Sequence, residues 1–367
     1  MISRTTRVLA QGATILALAA CGRGGSATVT IGAAGPWAEG YGKLSRRGIE
    51  LAVEEVNAAG LIPGHTLRLQ ALDDRGAGPE AIAIAQRFTG DPAVVAVVGH
   101  ANSGAMVAAA KVYDGRLAAV ATSASSPDLS GVSPWVFRVI SSDSANGADL
   151  ARFAWQLGRR RAAVMYENDS YGRGLAEAFA RAFEGEIVAL DPITEDAADL
   201  EPFVSHYTRF TRPDIVFVAG VERSGLQLLR EARRQGLAAD FLGGDGWVGV
   251  GLDTAASEGV YVGAPFTPND PRPEAQRFVA AYRRKYGEPP DGNAALGYDA
   301  TMVVARAIAR GGATREGVRD YLASGMRGEP FAGATGTVRF GDGGDPDGRG
   351  FVMTQIRRGS LLVAGAK

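Results

Sequence analysis

Cysteine occurs once in 367 residues, and histidine three times, at His65, His100 and His206. A single cysteine excludes an intramolecular disulfide, a CxxC redox pair and a cysteine zinc cluster. No two histidines stand at ligand spacing, so neither a metal nor a cofactor is expected. Charge of one sign is also missing. The 39 lysines and arginines nearly balance 40 aspartates and glutamates, for a net charge of -1. That removes the electrostatic case for a nucleic-acid partner or an anionic membrane surface. Beyond the N-terminal segment no apolar run is long enough to span a bilayer. Signatures of chemistry are lacking too: there is no GxSxG elbow, no Walker loop and no HExxH. Gly172-Arg173-Gly174 is half a dinucleotide fingerprint without its third glycine. These absences argue against an enzyme.

What is present is a long chain, 46% apolar, with 50 glycines in no repeat. Its length exceeds what one core usually serves, so two lobes are expected, with the glycines in tight turns. Residues 1–20 read as a secretory signal. Arg4 and Arg7 supply the positive start, and an apolar stretch too short to cross a membrane follows. It ends in Leu18-Ala19-Ala20-Cys21, the spacing of a bacterial lipobox, and the chain's one cysteine occupies the position where that motif takes its lipid. The plainer reading is an ordinary secretory signal beside a chance cysteine. On the lipobox reading Cys21 carries acyl chains, residues 21–26 form a tether, and the protein sits on a membrane surface in the periplasm or cell envelope.

From Thr28 short apolar runs alternate with amphipathic stretches. Strands are expected at 28–33, 67–72, 94–98 and 117–121, with helices at 45–59, 79–89 and 103–113 between them. The pattern restarts with a helix at 145–157. Strands at 162–166, 186–190, 215–219, 241–242 and 260–263 follow, separated by further helices. Such βα alternation predicts α/β architecture with two doubly wound parallel sheets. The tail reads as a hairpin, 336–340 paired with 351–357 around a Gly/Asp-rich turn.

Ligands of open α/β sheets bind outside the carboxyl ends of the strands, so the loops there are the candidate site. Residues 99–104 follow a buried strand and open a helix; Ser103 there either caps the helix or helps receive an anion. Thr122, Ser123, Ser125 and Ser126 form a hydroxyl cluster that is either ligand-facing or a polar turn. Tyr171 offers an apolar face and one hydroxyl. Asp245, among glycines, is suited to a ligand ammonium or is a turn-former. Hydroxyls and a helix N-terminus on one lobe with an acid on the other would receive a zwitterion.

In order and spacing, several stretches resemble the leucine/isoleucine/valine-binding protein family, type I periplasmic solute-binding proteins of branched-chain amino acid ABC transporters. They include Gly48-Ile49-Glu50-Leu51-Ala52, Asp73-Asp74, residues 99–103, residues 123–127, Tyr171-Gly172-Arg173-Gly174 and Gly243-Gly244-Asp245-Gly246. The likeness runs from Val29 to about Leu362. It implies two lobes joined by a three-crossing hinge: 27–142 with 268–335, and 143–267 with 336–367. It implies that Ser103, Ser123 and Ser125 hold the ligand's carboxylate and ammonium, and that Asp245 pairs with the ammonium. By the same likeness Tyr171 stands on the second lobe, and Trp37 or Tyr41 lines the side-chain pocket. A cleft tyrosine of the family falls at Val221, followed by Glu222, whose orientation the likeness leaves open, and Asp245 is one methylene shorter than the family's usual glutamate. The expected partners are an amino acid, branched-chain or similar, and an ABC permease, with the protein a monomer. Relatives of this fold also take amides, urea and aromatic acids. A sensory module and a protein-binding scaffold are the rival roles.

Overall fold

The computed structural model describes residues 26–194, 199–249, 251, 253–348 and 350–365. The signal, Cys21 and most of the tether lie outside the described residues.

The first sheet contains β1 (Ala27–Gly35), β2 (His65–Asp73), β3 (Val94–Val98), β4 (Ala118–Ala121) and β5 (Val136–Arg138), in the order β2-β1-β3-β4-β5. All its pairings are parallel. β3 reads VVAVV and is buried throughout, as a strand covered by helices on both faces must be. On one face lie α2 (Gly78–Gly90) and α3 (Ser103–Tyr113); α1 (Gly40–Ala58) lies on the other. α1 begins five residues before the sequence pattern turns apolar, so Tyr41 and Leu44 stand in its first turns.

The second sheet has a parallel part made of β6 (Arg161–Glu167), β7 (Glu186–Ile193), β8 (Ile215–Ala219), β9 (Asp240–Gly243) and β10 (Tyr261–Ala264). Its helices are α4 (Asp143–Gln156), α5 (Ser170–Ala182), α6 (Glu201–His206), α7 (Glu222–Gln235) and α8 (Thr254–Ser257). Two apolar cores flank this sheet, one built on Val216, Leu228 and Trp247, the other on Leu175, Phe179 and Phe217.

The chain then returns to the first lobe as α9 (Pro273–Tyr286), α10 (Gly292–Gly311) and α11 (Arg315–Asp320). α10 crosses α1 closely: a Cβ on Gly48 would lie 1.9 Å from the Ala294 carbonyl, and one on Gly297 would lie 2.3 Å from that of Ser45. This contact sets the start of α10 beside the cleft.

The tail departs from expectation. Residues 336–340 do not pair with 351–357. Instead β11 (Phe331–Gly333) and β12 (Gly336–Val338) form a small hairpin, and Val338 and Phe340 join the first lobe's core, with Phe340 5.1 Å from Phe137 between ring centroids. The strand β13 (Val352–Arg357) runs antiparallel to β10, and β14 (Ser360–Val363) folds back on β13 at the sheet edge. Buried apolar side chains at 338 and 340 thus hold their segment in the first lobe, and the third crossing follows Phe340.

Two doubly wound lobes joined by three crossings result. The third crossing is tied to the first lobe by Arg138. Its Nε donates to Asp345 Oδ1 at 2.7 Å, its Nη1 to the Ser126 carbonyl at 2.7 Å, and its main-chain N–H to the Gly344 carbonyl at 3.0 Å.

Candidate functional site

A cavity of about 570 Å³ opens between the lobes, lined from both sides by loops at strand ends and helix starts. From the first lobe come Tyr41, Leu44, Asn102, Ser103 and Ser123; from the second come Tyr171, Val221, Glu222, Asp245 and Val248.

Ser103 is the first residue of α3 and is 3% exposed. Its Oγ accepts the main-chain N–H groups of Ser125 and Ser126, each at 3.1 Å. Both bonds use acceptor capacity, so the hydroxyl proton remains free to donate into the cavity beside the N–H groups of the first turn. Ser123 donates through Oγ to the Ala101 carbonyl at 3.0 Å, which leaves its lone pairs for an incoming donor.

The loop that opens α3 is fixed from behind. His100 is fully buried, with Nδ1 2.6 Å from Asp74 Oδ2 and Nε2 2.9 Å from Tyr113 Oη. Asp74 Oδ1 also accepts the Gly76 N–H at 2.8 Å, which sets Gly76 in the cavity wall. Gly99 has φ of +113°, and a Cβ there would lie 2.1 Å from the Ala34 carbonyl, so glycine is required. Sequence reasoning noted His100 only as part of a loop, because its partners are 26 residues before it and 13 after it.

On the second lobe Asp245 opens a short 3-10 turn, Asp245–Trp247. Tyr171 Oη donates to Asp245 Oδ1 at 2.9 Å and accepts the Gly246 N–H at 3.2 Å. Tyr171 and Asp245 therefore act as one unit, which the sequence analysis did not foresee. Burial at the base of the cleft raises the Asp245 carboxyl to about 6. Asp143, first residue of α4 at the first hinge crossing, is wholly buried. Its carboxyl is pushed well above the usual range by burial and then by the charge of Asp245.

Two predicted residues stand elsewhere. Ser125 is 0% exposed and does not line the cavity; its Oγ donates to Asp143 Oδ2 at 3.0 Å, and its carbonyl accepts the Asp143 N–H at 2.8 Å. It supports the wall and holds the start of α4. Trp37 packs its ring against Gly35 and the first lobe's core, also outside the cavity. Tyr41 does line it, and its hydroxyl exchanges hydrogen bonds with the Asn102 amide. Val221 lines it as the residue before α7, and its N–H donates to Glu167 Oε1 at 3.3 Å. Sequence reasoning left the orientation of Glu222 open, and it passed over Asp291, the N-cap of α10, whose side chain accepts the Ala294 N–H. Both line the cavity.

The pattern for the periplasmic binding protein family matches residues 28–360. The chain belongs to that family. A protein named amino acid binding protein, from Pseudomonas aeruginosa, is 31% identical over 302 residues, covering 78% of this chain and 80% of that one. An ABC transporter substrate-binding protein from Desulfitobacterium hafniense, solved in complex with Leu, is 33% identical with a TM-score of 0.80, covering 91% of this chain and 99% of the other. A branched-chain amino acid transporter substrate-binding protein from Streptococcus pneumoniae, solved with isoleucine, is 26% identical with a TM-score of 0.82 over 91% and 97% of the two chains. This periplasmic binding protein is thus a solute-binding protein that works outside the cytoplasm, in a family that performs no catalysis. The cavity between the lobes is where such a protein places its solute.

Proposed function

We propose that this periplasmic binding protein captures an amino acid as its zwitterion between the lobes and delivers it to an ABC permease. The observation that carries this reading is the division of the cavity. Free hydroxyl capacity on Ser103 and Ser123 at the N-terminus of α3 lies on one lobe, and the Tyr171–Asp245 unit lies on the other. A carboxylate fits the Ser103 hydroxyl and the free N–H groups at the start of α3, where the helix dipole favours an anion, while the Ser123 lone pairs can accept only from the ligand's ammonium. An ammonium fits the second, where it supplies the counter-charge that Asp245 lacks. Only a closed cleft makes both sets of contacts, so the ligand shifts the lobes toward closure. Lobe one is 27–142 with 268–340 and lobe two is 143–267 with 352–365, turning about the three crossings.

The relatives solved with leucine and isoleucine support the amino-acid class. A free aromatic acid is disfavoured, because among the described residues no lysine or arginine lines the cavity to balance its charge. We further propose that Cys21 carries a lipid that holds the protein at the membrane surface, and that it acts there as a monomer.

Replacing Asp245 tests the reading. Asp245→Ala leaves a buried ligand ammonium without a partner, at a cost of about 2–5 kcal/mol. Isothermal titration calorimetry with the best-binding amino acid reads that loss directly. Equal affinity of variant and parent would remove the zwitterion model.

A further inference from the structure

The cavity between the lobes is charged on one side of the ledger only. Among its described lining residues are Asp169, Glu222, Asp245 and Asp291, with no lysine or arginine. A zwitterion brings one ammonium, and Asp245 accounts for it. Asp169 is engaged as the cap of α5, accepting the Gly172 N–H at 2.7 Å. Asp291 caps α10 through Oδ1, at 2.8 Å from the Ala294 N, and its Oδ2 accepts from the Asn293 amide at 3.1 Å. Glu222 has no such engagement. Its carboxylate makes no hydrogen bond to any described residue, and it lies over Gly249, where an added Cβ would be 2.1 Å from Oε2.

Glu222 and Asp291 come from different lobes. Glu222 begins α7 in the second, and Asp291 precedes α10 in the first. Burial raises both carboxyls, and the charge of Asp291 adds to the rise at Glu222, so the two sense each other across the cleft. Closing the lobes on an alkyl side chain would desolvate and crowd these carboxylates without compensation. Among the described lining residues, glycine backbone is frequent and the aliphatic side chains are Leu44, Ala101, Val221 and Val248. A pocket for a branched side chain ordinarily holds no unpaired carboxylate.

We propose that the ligand carries a second cationic nitrogen, on its side chain, and that Glu222 and Asp291 receive it from opposite lobes; the solute class is a diamino or guanidino acid. This rests on the amino-acid reading of the cleft and adds a second pole to it. The first pole orients the α-carboxylate and α-ammonium between Ser103, Ser123 and Asp245. The second gives closure an extra electrostatic term that a neutral side chain cannot supply.

Calorimetric titration of the intact protein with L-lysine, L-ornithine and L-norleucine tests it, since norleucine keeps the alkyl chain and loses the charge. Lysine or ornithine should bind about tenfold or more tightly than norleucine, the effect of one charge-assisted contact. Glu222→Gln should remove most of that preference without weakening norleucine. Asp291→Asn, which keeps the capping oxygen, serves as a second variant should the first not fold. Norleucine binding as tightly as lysine and ornithine, or a preference unchanged in both variants, would overturn the proposal while leaving the amino-acid site in place. Binding of cadaverine that depends on Glu222, with no amino acid bound, would support the second pole and remove the first.

Discussion

Asp245 is held by one tyrosine hydroxyl at the base of a cleft, and Asp143 lies buried behind it with a raised carboxyl of its own. Removal of water is the main cause for both, so each carboxyl ionises at a higher pH than a free aspartate does. The sign of the pH dependence follows. Asp245 titrates near 6 in the folded protein against 3.8 when unperturbed. Between those values the folded state binds more protons than the unfolded chain, so this group's contribution to stability falls as pH rises through the window. Ligand affinity should run the other way, because only ionised Asp245 pairs with an ammonium. Calorimetry across pH should show affinity rising from about pH 5 to about pH 7 and levelling above that. A flat profile over that range would show that Asp245 does not meet the ammonium. Sequence reasoning found Asp245 and Tyr171 separately, from their places after strands. Their bond to each other spans 74 positions, and no local pattern encodes it. Ser125 shows the same limit: a serine beside a strand end reads alike whether it faces a ligand or, as here, a buried aspartate.

The strands inside the sheets were legible because parallel strands are apolar on both faces. β3 and β8 are unbroken runs of buried residues, and the sequence marks them within a residue or two. β5 was not legible. It has three residues, too few to show a period, and it exists because β4 offers it an edge. The tail failed for a related reason. Two strand-like stretches around a Gly/Asp turn look like a hairpin in any sequence, yet Val338 and Phe340 find a better apolar surface on the first lobe. At α5 the link between element and site is steric. Gly172 follows Tyr171, and a Cβ there would lie 2.1 Å from the Glu167 carbonyl and 2.8 Å from that of Ala219. Gly172→Ala should therefore cost about 1–3 kcal/mol of stability as overpacking against backbone. It should also weaken ligand binding, because the start of α5 carries Tyr171. Urea unfolding monitored by circular dichroism gives the first number and titration the second. A fully stable variant would mean that α5 is free to shift.

Two lobes, three crossings and a cavity with acids on both walls make a molecule whose closure depends on what lies between them. Arg138, at the end of β5, pairs with Asp345 and so ties the start of the first crossing to the third. The architecture could be read from the alternation of βα units, and the family's likeness supplied the crossings. The charge of the cavity could not, because Glu222 and Asp291 stand 69 positions apart and come to line one cavity only when both lobes are built. The account's central claim is that the cleft reads a ligand at its carboxylate and at its ammonium together. The most direct test is a thermal-shift series on the intact protein. It compares the twenty amino acids with analogues of the responders that lack either the α-amino or the α-carboxyl group. A responding amino acid at a hundred times its dissociation constant should add about 2.7 kcal/mol of stability, and both of its analogues should leave the midpoint where it was. An analogue without the amino group that stabilises as well as its parent, or silence from every amino acid, would contradict the account.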